Sequence, residues 1–123
     1  MQNDKSKIKE EFKRRVYKFA FEIIGFVERL PKGQVSNIIG DQLIRSSTSI
    51  GANVVEAKSS ASSKDYINFF THALKSANET KFWLALLRDS NKAEKELTNK
   101  LIREATELSN ILASSILTLK GKR

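Results

Sequence analysis

The sequence predicts an all-α fold, an up-down-up-down antiparallel four-helix bundle. Three observations predict it. Apolar residues recur at steps of three and four along nearly the whole chain. Helix breakers are scarce: one proline, Pro31, and five glycines in 123 residues. The remaining punctuation falls at three places, Leu30–Gly33, Lys58–Ser63 and Asp89–Lys92, and cuts the chain into four segments of similar length.

In the first segment Ile8, Phe12, Val16, Phe19, Ile23, Val27 and Leu30 form one helical row, and Tyr17, Phe21 and Ile24 form a second row off that face. In the second, Ile39, Leu43, Ile50 and Val54 alternate with small residues, Ser46, Ser47, Ser49, Gly51 and Ala52. Small side chains allow close approach of a neighbouring helix, although Gly lowers intrinsic helix propensity by up to about 1 kcal/mol relative to Ala. The third opens with Ser62 three residues ahead of Asp65, a capping pattern, and continues through Tyr66, Phe69, Phe70, Ala73, Ala77, Leu84 and Leu87. The fourth carries Leu97, Leu101, Ala105, Leu108, Leu112, Ser115 and Leu119, a heptad-like seam from Leu101 onward, with Gly121 as its stop. The expected helices are roughly 5–30, 35–57, 63–89 and 93–120, within a single domain of residues 1–123. Helices of this length, about 38 Å at 1.5 Å per residue, joined by such short breaks must fold back on one another.

Composition narrows the function classes. There is no cysteine, so disulfides and thiolate metal sites are excluded, which fits a reducing cytoplasm. The longest uncharged stretch is the 12 residues 108–119, short of the about 20 a membrane helix needs, and the N-terminus has no signal-peptide core. Net charge is +8, with 22 Lys+Arg against 14 Asp+Glu. That balance favours polyanionic partners, chiefly RNA or DNA, or an acidic membrane surface, with simple solubility as the bland alternative.

Gln42, Arg45, Ser49, Asn53 and Glu56 fall on one face of the second helix. With a turn near position 60, facing residues on helices two and three should have numbers summing to about 121. This places Arg45 near Ser76, Ser49 near His72 and Asn53 near Asn68, with Glu79 within reach of Arg45. Gln42, Arg45, Ser49, Asn53, Glu56, His72, Ser76 and Glu79 are therefore expected to form a polar network. Two readings stay open: an interhelical clamp, in which breaking a buried pair typically costs about 3–5 kcal/mol, and a small-molecule or nucleotide pocket.

These residues also carry a resemblance. Gln42-Leu43-x-Arg45-Ser46-x-x-Ser49-Ile50-x-x-Asn53-x-x-Glu56 resembles the helix-two signature of the bacterial 23S rRNA intervening sequence proteins. The resemblance extends to Arg15-x-Tyr17-x-x-Ala20 and to the run Ala73–Leu84, and covers about Phe12 to Leu87. The chain departs from many members in having Glu56-Ala57 for Glu-Gly and Lys75-Ser76 for Gly-Ser. The resemblance implies a four-helix protomer, homopentameric assembly, and kinship with the accessory variability proteins of diversity-generating retroelements, which engage nucleic acid and a polymerase. It brings no catalytic residues.

The excess charge is concentrated in the outer helices, with eight Lys/Arg against five Asp/Glu in residues 1–31 and seven against four in residues 92–123. In an up-down bundle the start of helix one and the end of helix four share one end. Lys5, Lys7, Lys9, Lys13, Arg14, Arg15, Lys120, Lys122 and Arg123 are thus the candidate nucleic-acid-binding residues, through phosphate contacts that release counterions. The alternative is a solvated face with i,i+4 pairs, Glu10 with Arg14 and Glu11 with Arg15.

Recognisable catalytic chemistry is missing. His72 is the lone histidine, and no Glu-x-x-His pair, phosphate-binding glycine loop or nucleophile turn is present. Glu104-x-x-Glu107 is the one carboxylate pair suited to Mg²⁺, as in all-α nucleotide pyrophosphohydrolases. The expected protein is therefore a non-enzymatic, cytoplasmic, homo-oligomeric accessory protein without cofactors, binding RNA or DNA, with a protein such as a polymerase as a further expected partner; a protein-only scaffold and a nucleotide-processing enzyme are the alternatives. Its apolar second rows, with Phe69, Phe70, Phe82 and Trp83, fit either a wide core or a self-association face.

Overall fold

The computed structural model describes the backbone of residues 2–121 and the side chains of residues 9–121. Four helices follow one another: α1 (Gln2–Glu28), α2 (Gln34–Lys58), α3 (Ser63–Asp89) and α4 (Lys95–Leu119). Successive helices pack side by side, and α1 and α4, which close the ring, touch least. The fold is the expected all-α four-helix bundle.

Each turn has a local cause. At the start of α2, Gly33 has φ 154°, a conformation that L side chains rarely adopt. Ser62 caps α3 by accepting a hydrogen bond from the Asp65 backbone N–H at 3.1 Å. At the other end of α3, Asn91 takes the left-handed conformation (φ 58°). The Lys92 N–H then donates to the Leu87 carbonyl and the Asn91 N–H to the Arg88 carbonyl, which is a Schellman closure with Asn where Gly is commoner. Gly121 ends α4 at positive φ.

One core joins all four helices. It holds Phe12, Val16, Phe19, Ile23 and Phe26 of α1, Leu43, Ile50 and Val54 of α2, Phe70, Ala73, Ala77, Leu84 and Leu87 of α3, and Leu101, Ala105, Leu108, Leu112 and Ile116 of α4. Ile8 lies outside the described side chains. Thr98, one heptad ahead of Ala105, is buried and extends the seam, whereas Leu97 of the expected apolar row is exposed. At the C-terminal end Ile116 is buried and Leu119 exposed; a 3.5-residue seam drifts by about 20° per heptad around a straight helix, which favours Ile116 over Ser115 as the inward position there.

The small residues of α2 permit the expected close approach. Ser46 and Ser47 of α2 and Ala73 and Ala77 of α3 are all buried. Ser46 Oγ lies 2.8 Å from Thr80 Oγ1. The Thr80 hydroxyl also lies 2.8 Å from the Ser76 carbonyl and the Ser46 hydroxyl 3.3 Å from that of Leu43, so each is anchored to its own helix as well.

Candidate nucleic-acid interface

The polar row on α2 assembles only in part. Arg45 donates to Gln42 Oε1 through Nε (3.0 Å) and Nη2 (2.9 Å), and pairs with Glu79 on α3. Trp83 Nε1–H donates to the same Glu79 carboxylate at 2.9 Å. A second cluster forms one turn away, where Ser76 donates to Ser49 Oγ (2.9 Å) and Asn53 Nδ2 donates to Ser49 Oγ and to its carbonyl. Glu56 and His72 are exposed and join neither cluster. Arg45 reaches Glu79 as expected, but Ser49 faces Ser76 rather than His72, about one turn away from the expected register. Side chains lean toward the N-terminus of their own helix. On α2 that direction leads away from the α2–α3 turn and on α3 toward it, so both leans raise the sum of the facing numbers.

The Arg45 side chain is 56% exposed, so its pair with Glu79 is a surface contact rather than a buried clamp. Exposed pairs contribute about 0.2–1 kcal/mol. Arg45→Ala should therefore lower unfolding free energy by no more than about 1 kcal/mol in a urea titration, well below the 3–5 kcal/mol of a buried pair. A loss above ~2 kcal/mol would contradict this placement.

The charged end is equally selective. Arg15 reaches across the α1–α4 seam and binds Glu104 bidentately, Nη2 to Oε1 at 2.7 Å and Nε to Oε2 at 3.1 Å, and also donates to Glu107 at 3.1 Å. The hydrogen bond to Glu104, ahead of that to Glu107, holds its guanidinium above arginine's ordinary range against the opposing effect of burial. The two carboxylates suggested for Mg²⁺ thus face an arginine. Among the described residues, no three His, Cys, Asp or Glu side chains come together to hold a metal ion. The i,i+4 pairs expected along α1 are replaced by pairs to other partners: Glu10 binds Lys58 of α2 at 3.0 Å and Lys13 at 3.8 Å. The Lys58 hydrogen bond, then the Lys13 charge, hold the Glu10 carboxyl below the usual range, and the same bond to Glu10 raises the Lys58 ammonium. Lys9, Arg14 and Lys120 are exposed and enter no ion pair among the described residues. Lys5, Lys7, Lys122 and Arg123 lie outside the described side chains.

With this geometry in hand, the sequence profile of the 23S rRNA-intervening sequence protein family matches residues 9–114. The chain belongs to that family. A solved structure from Bacteroides thetaiotaomicron, a protein of unknown function from the S23 ribosomal protein family, is similar to it at 35% identity and a TM-score of 0.82, covering 88% of this chain and 96% of that one. No curated protein matches the chain.

In this member of the intervening sequence family, Lys58 completes the basic end. It is remote in sequence from both termini, and its signal was topological: the last residue of α2 lies at the end where α1 begins. Two exposed apolar faces also stand out. Tyr17 (76% exposed), Phe21 (64%) and Ile24 of α1 flank a groove with Val55 and Ala52 of α2. Ile38 of α2 and Phe82 and Leu86 of α3 are exposed as well, with the Phe82 ring edge-on to Trp83. The second rows noted in the sequence are thus only partly core: Phe70 is buried and Phe69 half-buried, while Tyr17, Phe21 and Phe82 face outward. Among the described residues, no helix is long and apolar enough to cross a membrane.

Proposed function

We propose that this protein is a non-enzymatic, homo-oligomeric accessory protein that binds RNA or DNA through its basic end. The observation that carries the reading is the set of exposed cations Lys9, Arg14 and Lys120, joined at the same end by Lys58, with Glu10 as the acid that pairs there. Such an array meets phosphates irrespective of sequence. The two apolar faces support self-assembly. They are unlike each other and lie on different helix pairs, which suits a head-to-tail contact that closes into a ring and repeats the basic end around it. The pentameric assembly that the family resemblance implies agrees with this reading.

Fluorescence anisotropy of labelled RNA and DNA, titrated over salt, tests it against a variant carrying Lys9→Gln, Arg14→Gln, Lys58→Gln and Lys120→Gln. Wild-type affinity should fall linearly in log–log form. Each neutralised phosphate contact should flatten the slope by roughly 0.9 on duplex DNA and roughly 0.7 on single strands. Absence of binding to either polymer at low salt would refute the nucleic-acid role. The exposed apolar faces would then favour a protein-only scaffold.

A further inference from the structure

The sparse contact between α1 and α4 leaves space at the end that carries the α2–α3 turn. There a cavity of about 810 Å³ opens to solvent between Phe12 of α1, the turn, and Ile111 to Leu119 of α4. It is a groove open to solvent, and surface grooves of about 820 and 800 Å³ lie elsewhere on the bundle, so its lining rather than its size marks it out. Its volume lies within the range of about 300–1,000 Å³ found for small-molecule pockets.

The lining has a specific chemistry. Its floor is aromatic: Tyr66 and Phe70 lie with ring centroids 4.8 Å apart, and Phe12 stands 6.4 Å from Phe70. Lys9 and Lys58, both exposed, border it, and Ser60, Ser62, Ser63 and Ser115 contribute hydroxyls. Aromatic faces beside cations and hydroxyls suit a flat heterocycle joined to phosphates better than an acyl chain, which asks for an aliphatic tunnel. A duplex keeps its bases stacked inside and offers this end only phosphate. A single strand can turn one base out of its own stack onto an aromatic side chain while its backbone stays on the cations.

We propose that this cavity takes one unstacked base of a single-stranded RNA or DNA, with the Lys9 and Lys58 ammoniums on the flanking phosphates. The inference rests on the nucleic-acid reading above and adds a strand preference to it. None of the residues that line the cavity belongs to the two exposed apolar faces, so self-assembly through those faces leaves them free.

The test compares three labelled probes with equal numbers of phosphates: a single-stranded oligonucleotide, its abasic counterpart and a blunt duplex. Binding of each is measured by anisotropy at one low salt concentration. The intact single strand should bind wild type about tenfold more tightly than the abasic strand. Tyr66→Leu, which keeps apolar volume and loses the π face, should abolish that difference, and Tyr66→Phe should keep it. Melting curves of both variants establish that they fold, and the abasic comparison on wild type needs no substitution. Equal binding of the intact and abasic strands would overturn the base site while leaving the basic surface in place. Failure of all three probes to bind would overturn the nucleic-acid reading itself, and this inference with it.

Discussion

On the self-association proposed above, Phe21→Glu should yield protomers of 13.9 kDa, read by light scattering on a sizing column. The ring is 64% exposed in the protomer, so the substitution removes little from the core and should leave the helical fold intact. At an interface the effect is large. Truncating a central aromatic anchor can cost 2 kcal/mol or more, about thirtyfold or more in affinity, and a carboxylate placed there adds desolvation. Phe82→Glu on the other face should act in the same way. Mixing the two variants separates contact types: a head-to-tail contact retains one intact pair of faces and gives a 1:1 complex. An isologous contact through the α1–α2 face would instead leave Phe82→Glu assembled by itself. A wild type that runs at 13.9 kDa under all conditions would sink the assembly reading.

Leu84→Ala should cause a large loss of stability. Leu84 is fully buried in the C-terminal third of α3, in the core shared by all four helices. Removing it loses the transfer free energy of the deleted groups and leaves a cavity that the surrounding helices fill only in part, about 2–5 kcal/mol in all. The midpoint of urea unfolding should shift accordingly at unchanged slope. Lys75→Ala, exposed on the same helix, should stay within about 0.5 kcal/mol of wild type. Both belong at one fixed protein concentration, because assembly adds to apparent stability by mass action. A Leu84→Ala effect below 1 kcal/mol would mean that the α3 core relaxes around the lost side chain far more freely than its burial implies.

The bundle was legible because its cause is periodic. Leu43, Ile50 and Val54, or Leu101, Ala105, Leu108 and Leu112, recur at the helical repeat, and the breaks at Pro31, Ser62 and Asn91 carry turn chemistry that acts within a few residues. The residues of the basic end were legible as charge, and the grouping of helix-one and helix-four termini followed from topology.

Pairing of side chains was less legible. The sequence placed Arg45, Ser49 and Glu79 in one network with Glu56 and His72, yet the helix phase turns Glu56 and His72 to solvent and divides the rest into two clusters. It placed Arg15 among the free cations, yet Glu104 and Glu107, remote in the chain, engage it. Lys58 joined the basic end, and a groove opened beside Tyr66, only once the helices were packed together.

The sequence by itself determined the number, length and order of the helices, the chemistry of their turns and the net charge, because each depends on residues near one another along the chain or on simple counting. The tertiary structure decided which cations remain free, which aromatics face solvent and where α1 and α4 leave space, because these depend on helix rotation and axial shift. A shift of one turn moves a side chain by about 5.4 Å and exchanges its partner. The repeating pattern of apolar residues specifies that turn poorly, since it looks much the same one turn further on.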